Sequence, residues 1–204
     1  MNKKTRKTDR RTIYTKNVIK DALLKLMEKK QFDQITVAAL CRQAEITRAT
    51  FYIHYDNLTV VLNELLEDAL QTTEHESSNL NSNMLKMLDF ITSQRNLTTL
   101  EQYDTLLPIC QRIANQPKYR VLFLDESLSA YIIKKIYVTE RDKIVPLLIN
   151  QCHLSHKEAD KLYLFVIYGA YEVNKSMHWE KNKEWYQLQG SLIRFILGGL
   201  DALT

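Results

Sequence analysis

The sequence predicts an all-α fold, and three observations predict it. Proline first occurs at position 108 and glycine at 169, so the first half of the chain holds neither helix breaker. Apolar residues recur at three- and four-residue spacing through most of the 204 positions. No alternating strand pattern, repeat or low-complexity tract stands out beside them. With 45% hydrophobic and 25% charged residues, the chain is composed like a globular protein able to bury a core. The expected arrangement is a three-helix helix-turn-helix head over 1–57 and a larger helical body over 58–204.

The first helix is expected over 13–30, with Val18, Ile19, Ala22, Leu23, Leu26 and Met27 on one face and charges on the other. Residues 31–35 break its period. Thr36 is placed to cap a short second helix that turns Val37, Leu40, Cys41 and Ala44 inward. Glu45 and Ile46 turn the chain, and Thr47 caps a third helix of barely two turns over 48–55. Asp56 or Asn57 caps a longer fourth helix to about 76, with Leu58, Val61, Leu62, Leu65 and Leu66 along its stripe. The polar stretch 77–82 follows as a joint. Further helices are expected near 83–94, 99–115, 118–137, 139–152, 156–180 and 184–202. Thr98 with Glu101, and Ser155 with Glu158, have the spacing of capping boxes.

Function is concentrated in residues 36–62, TVAALCRQAEITRATFYIHYDNLTVVL. Two short helices joined by a tight turn cannot bury their own apolar faces, so they need the first helix as backing. The third helix then keeps one face outward, carrying Thr47, Arg48, Ala49, Thr50, Tyr52 and His54, while Phe51 and Tyr55 anchor it. Hydroxyls, small methyl groups and a guanidinium suit a DNA major groove, where Arg forks onto guanine and a methyl meets thymine. The alternatives are plain: Tyr52 and Tyr55 as core aromatics, His54 as the close of a helix C-terminus, Arg48 as a solvated charge.

Residues 13–62 resemble the DNA-binding domain of the TetR family. The matching features are the E-K-K-Q-F-D turn after the first helix, T-V-A-A-L-C-R-Q-A, and above all I-T-R-A-T-F-Y-I-H-Y. The resemblance implies a homodimer that holds two heads over adjacent major grooves of a palindromic operator. It also implies a cavity in the body, where a small-molecule effector moves the fourth helix and releases the DNA. On this basis Arg48, Ala49, Thr50 and Tyr52 would meet bases or nearby phosphates, and Thr36, Thr47, His54 and Tyr55 mainly the DNA backbone. Three positions depart from the family. Gln31 and Glu45 stand where glycine is usual, so both are expected at positive φ for roughly 1 kcal/mol each. Leu58 replaces a common phosphate-contacting Lys.

Charge placement agrees. Positions 1–16 hold seven basic residues, Lys3, Lys4, Arg6 and Lys7 among them, against the single acid Asp9, while the whole chain nets only +4. A basic arm on a near-neutral body points to a polyanion met at one end, with a solvated disordered start as the bland alternative. Cys41, Cys110 and Cys152 are odd in number and far apart, as expected of a cytoplasmic protein with free thiols. The longest apolar run, 162–170, is too short to span a bilayer. No enzyme site is expected: the N-terminal half has no Gly-rich phosphate loop, and Cys152, His153 and His156 lack the second ligand pair of a zinc site.

In the body, Tyr103, Cys110, Phe123, Tyr131, Tyr168 and Glu172 are the candidate pocket residues. Leu162, Phe165, Val166 and Gly169, with Leu188, Leu192, Phe195 and Ile196, form the apolar faces expected to pair two protomers; burial within one chain is the alternative. No cofactor is expected besides the unidentified effector. The rival functional class is a protein-interaction adaptor or coactivator with weak DNA binding, motivated by the missing Lys at 58.

Overall fold

The computed structural model describes residues 10–77 and 109–203, with the backbone alone at 73–77. Its elements in order are α1 (Arg10–Met27), a 3-10 turn (Phe32–Gln34), α2 (Val37–Gln43), α3 (Arg48–His54), α4 (Leu58–Ser77), α5 (Ile109–Ala114), α6 (Arg120–Leu124), a second 3-10 turn (Glu126–Leu128), α7 (Ser129–Cys152), α8 (His156–Ser176) and α9 (Lys183–Asp201). The fold is all-α, with no strand among the described residues.

In the head, α1 packs on α2, α3 and α4 through Ile19, Leu23, Leu40, Phe51, Tyr55, Val61, Leu62 and Leu65, all buried. The core then runs on without a gap to Cys110, Phe123, Ile132, Tyr171 and Trp179 in the body. Leu58 is half-buried against this core, so the position without a Lys serves packing.

Each predicted cap in the described head is made. Thr36 Oγ1 accepts from the Ala39 amide at 3.2 Å, Thr47 Oγ1 from the Thr50 amide at 3.1 Å, and Asn57 Oδ1 from the Val60 amide at 3.1 Å. Such caps contribute about 1 kcal/mol apiece. The Ser155–Glu158 capping box is closed in both directions. The Thr98–Glu101 box and the helix expected over 83–94 lie outside the described residues.

Three expectations are corrected. The first helix begins at Arg10 and ends at Met27, earlier than 13–30 at both ends. Gln31 has φ −66° and ψ 151°, ordinary extended backbone, so no strain arises there. The break expected near 138 is absent and lies instead at Asp125, whose extended backbone separates α6 from the second 3-10 turn. Contacts on both sides of position 138 keep α7 continuous against α8. Tyr137 stacks on Tyr163 at 5.6 Å and donates its hydroxyl hydrogen to Asp160, and Arg141 pairs with the same carboxylate at 2.9 Å. Tyr137's hydrogen bond leads the causes that hold the Asp160 carboxyl below its ordinary range.

Two further features shape the body. The turn after α8 places His178 and Trp179 in succession in the left-handed region, at φ 53° and 56°. That costs roughly 1–2 kcal/mol per residue, offset by the burial of Trp179. Its ring lies edge-on to Phe123 and Tyr171, each 4.9 Å away, and Nε1 donates to the Phe123 carbonyl at 3.0 Å. Asn174, fully buried, ties α8 to α9 by accepting from Trp185 Nε1 at 2.7 Å and Gln189 Nε2 at 3.1 Å.

Candidate nucleic-acid interface

The α2–α3 turn is what aims the candidate surface. After Gln43 and Ala44, the Glu45 amide donates to the Arg42 carbonyl at 3.3 Å and the Ile46 amide to the Cys41 carbonyl at 3.0 Å. This is the Schellman pattern, which places its C′ residue in the left-handed region. Glu45 occupies that place at φ 54°, as its departure from glycine predicted. Ile46 folds back onto the core, and the chain re-enters helix at Thr47.

Helix α3 is held by Phe51, fully buried, and by Tyr55 just beyond its end. The opposite face is open. Thr47, Arg48, Ala49 and Tyr52 are exposed, while Thr50 and His54 are half-exposed. Thr47 and Thr50 share a hydroxyl–hydroxyl hydrogen bond of 2.9 Å, which orders the first turn. The exposed face therefore presents a guanidinium, hydroxyls, a methyl and an aromatic edge on a backbone whose caps are satisfied. Thr36 is also exposed, at the start of α2. Lys3, Lys4, Arg6 and Lys7 lie outside the described residues.

Tyr55 is the correction within this set. Its side chain is 2% exposed, packed 6.1 Å from Phe51 and under the Lys16 ammonium at 5.1 Å. Burial, then the neighbouring Glu64 carboxylate, pushes its phenol far above the ordinary value. The side chain belongs to the core and cannot meet a phosphate. Ile53, by contrast, went unread in the sequence, yet it is 77% exposed beside Tyr52 at 56%. The available signal was its offset from the Phe51–Tyr55 spacing, which leaves position 53 off the buried face.

The back of the head is fastened to α4 by charge. Lys20, only 6% exposed, reaches Asp68 at 2.5 Å and Glu64 at 3.3 Å, and Lys16 reaches Glu64 at 2.8 Å. Burial would raise the Glu64 carboxyl, but the hydrogen bond from Lys16, the nearby Tyr55 hydroxyl and the two ammonium charges bring it below its usual range. Ion pairs as well as apolar packing thus join α4 to α1.

In the body, Cys110 and Phe123 are fully buried, and burial pushes the Cys110 thiol up to about 12. Tyr131 is half-buried and donates to Asn63 on α4. Tyr168 and Glu172 are corrected: both are exposed on the outside of α8, away from the protomer interior. Tyr103 lies outside the described residues. Among the proposed pairing residues, Phe165 and Phe195 are 66% and 71% exposed, Gly169 is exposed, and Leu162, Val166, Leu188, Leu192 and Ile196 are half-exposed. Among the described residues no helix is long and apolar enough to cross a membrane, and no three His, Cys, Asp or Glu side chains gather to hold a metal ion.

No family model matches the chain. Over 65 residues, 31% of its length, it is 34% identical to YxbF of Bacillus subtilis (strain 168), an uncharacterized HTH-type transcriptional regulator, and the match spans 17% of that protein. Among solved structures, the dihydroxyacetone kinase operon activator DhaS aligns over 93% of this chain and 98% of its own, with 19% identity and a TM-score of 0.42. The chain is thus similar, over about a third of its length, to a helix-turn-helix regulator of transcription.

Proposed function

We propose that this protein is a sequence-specific DNA-binding regulator of transcription, of the TetR type, acting as a homodimer on a palindromic operator and released by a small-molecule effector. The observation that carries the reading is the outward face of α3, where Arg48, Ala49, Thr50 and Tyr52 stand clear of a core closed behind them by Phe51 and Tyr55. Arg48 and Tyr52 read base edges or adjacent phosphates, and Thr36, Thr47 and His54 hold the DNA backbone. The arm at 3–7 adds phosphate contacts.

A second copy of the chain covers the uncovered apolar face of α8 and α9. A Cβ built on Gly169, Gly198 or Gly199 would meet nothing within 4 Å, so the protomer leaves open space where a close helix approach fits. The effector sits inside the body over 58–204. Support comes from fully buried Gln111, whose Oε1 lacks a hydrogen-bond partner among the described residues and is available to a polar ligand.

A salt titration of binding to duplex fragments selected from a random pool tests the reading. The expected result is a steeply negative log–log slope worth several counterions per dimer. Arg48→Ala should relax preference at one base position by roughly 1–3 kcal/mol, while Lys4→Ala should weaken all sequences alike. Equal, sequence-independent losses for the two variants remove the base-reading role. No binding at low salt would instead favour a protein-interaction adaptor.

A further inference from the structure

Head and body meet at a second place besides α4. A groove of about 650 Å³ separates the end of α1 from α6, lined by Leu24, Lys25, Gln31, Lys118, Val121 and Asp125 among others. At one end of it Lys118 reaches Asp21 across the gap at 2.9 Å, an exposed pair. At the other end the gap is closed by a buried group. Asp125, 5% exposed, accepts from the Phe32 amide of the head at 2.6 Å through Oδ2. Its Oδ1 accepts from the Ser127 amide at 2.9 Å and the Ser127 hydroxyl at 2.7 Å, both in the body.

The chemistry of this contact is unusual for an interface between packed helices. A carboxylate withdrawn from water needs donors to hold its charge, and among the described residues no cation is paired with it. The donors it has are divided between two parts of the molecule: one oxygen is met by the head and the other by the body. Phe32 opens the 3-10 turn that leads through Ile35 into Thr36, the cap of the helix-turn-helix. Any shift of the turn at 125–128 therefore either drags the entry to α2 or breaks a charge-assisted hydrogen bond.

We infer that Asp125 is a positioning residue for the DNA-reading head: by joining the Phe32 amide to the 126–128 turn, it makes the body, and not α4 alone, set the orientation of α3. This rests on the DNA-binding reading for its purpose, although the latch itself is a property of the folded chain. Rearrangement of the start of α7, where Ser129 and Ile132 enter the body core, reaches the head by this route without passing through α4.

Amide hydrogen exchange on the full chain tests it, with Asp125→Ala, Asp125→Asn and Asp125→Ser as variants. The Phe32 amide should exchange roughly 10- to 100-fold faster in Asp125→Ala, the range expected for losing a hydrogen bond to a charged group. Asp125→Asn should restore part of the protection, because its amide oxygen still accepts. The acceleration should be confined to residues 31–36; an equal rise across α1 and α7 would mean general destabilisation and overturn the proposal.

Orientation is read by spin labels placed on Asp56→Cys and Glu180→Cys, both exposed positions, in chains diluted with unlabelled protein. The native cysteines are buried. The distance distribution should broaden in Asp125→Ala and narrow again in Asp125→Asn. A folded Asp125→Ala with unchanged Phe32 exchange or an unchanged distribution overturns the latch. Should that variant not fold, Asp125→Ser decides, since its shorter hydroxyl can still cap the 126–128 turn but cannot reach the Phe32 amide as well, and unchanged Phe32 exchange there has the same force. Neither readout involves DNA, so failure of duplex binding would remove the functional reading and leave this result standing.

Discussion

The head and the body solve the same packing problem with opposite remainders. In the head, each helix from α2 to α4 starts at a satisfied cap, and the interior is filled by Leu40, Phe51 and Tyr55 with Ile19 and Leu23 of α1. The exposed side chains of α2 and α3 are polar or small save for Tyr52 and Ile53, with Ile13 and Tyr14 on α1 and Val60 on α4 also in solvent. In the body, large apolar rings remain outside at Phe165 and Phe195, while Gln111, Asn174 and Gln189 are inside. A unit that closes on itself leaves its surface for another kind of molecule. A unit with large apolar rings left in solvent has a face that another apolar surface can cover. The contrast separates the part that would face DNA from the parts that would face a second copy and a ligand.

The largest way to break that comparison is Phe51→Ala. Phe51 is fully buried and in ring contact with both Tyr52 and Tyr55, so its loss should cost about 3–5 kcal/mol by denaturant unfolding. If the cost is under about 1 kcal/mol, the head is not a tightly closed core and its exposed face has no rigid support.

A smaller change sharpens the same point. Glu45→Gly removes the Cβ at φ 54° and should stabilise the chain by about 1 kcal/mol, read as a higher denaturant midpoint at unchanged m-value. A loss of stability would show that the Glu45 side chain makes a contact worth more than the backbone strain. Smallest in folding terms is Phe165→Asp, which should move protomer stability by no more than about 0.5 kcal/mol, because the ring is largely in solvent in a single chain. Its effect should appear in sedimentation, as loss of the dimer. A dimer that survives Phe165→Asp at the same strength would place self-association elsewhere.

The interface candidates also show what a linear reading can and cannot recover. Thr47, Arg48, Ala49 and Tyr52 were legible because a two-turn helix anchored by Phe51 has only one other face to offer. Tyr55 was ambiguous, since an aromatic residue one step past a helix end can turn either way. Lys16 on α1 and Glu64 and Asp68 on α4 surround it only once those two helices have packed together, which no spacing around position 55 announces. Tyr168 and Glu172 misled because a helix apolar on several sides gives no signal for which side faces inward; Tyr163, Ile167 and Tyr171 took the buried stripe.

The amino-acid sequence alone determined the helical class, the caps at Thr36, Thr47 and Ser155 and the Phe51 anchor of α3. These depend on spacing and on side-chain chemistry within a few residues. Tertiary structure alone decided that α7 runs through position 138, that Tyr55 turns inward, and that the Asp125 carboxylate holds the Phe32 amide. Each of these depends on groups distant in the chain meeting in space, and no local pattern of polarity encodes which distant partner will arrive.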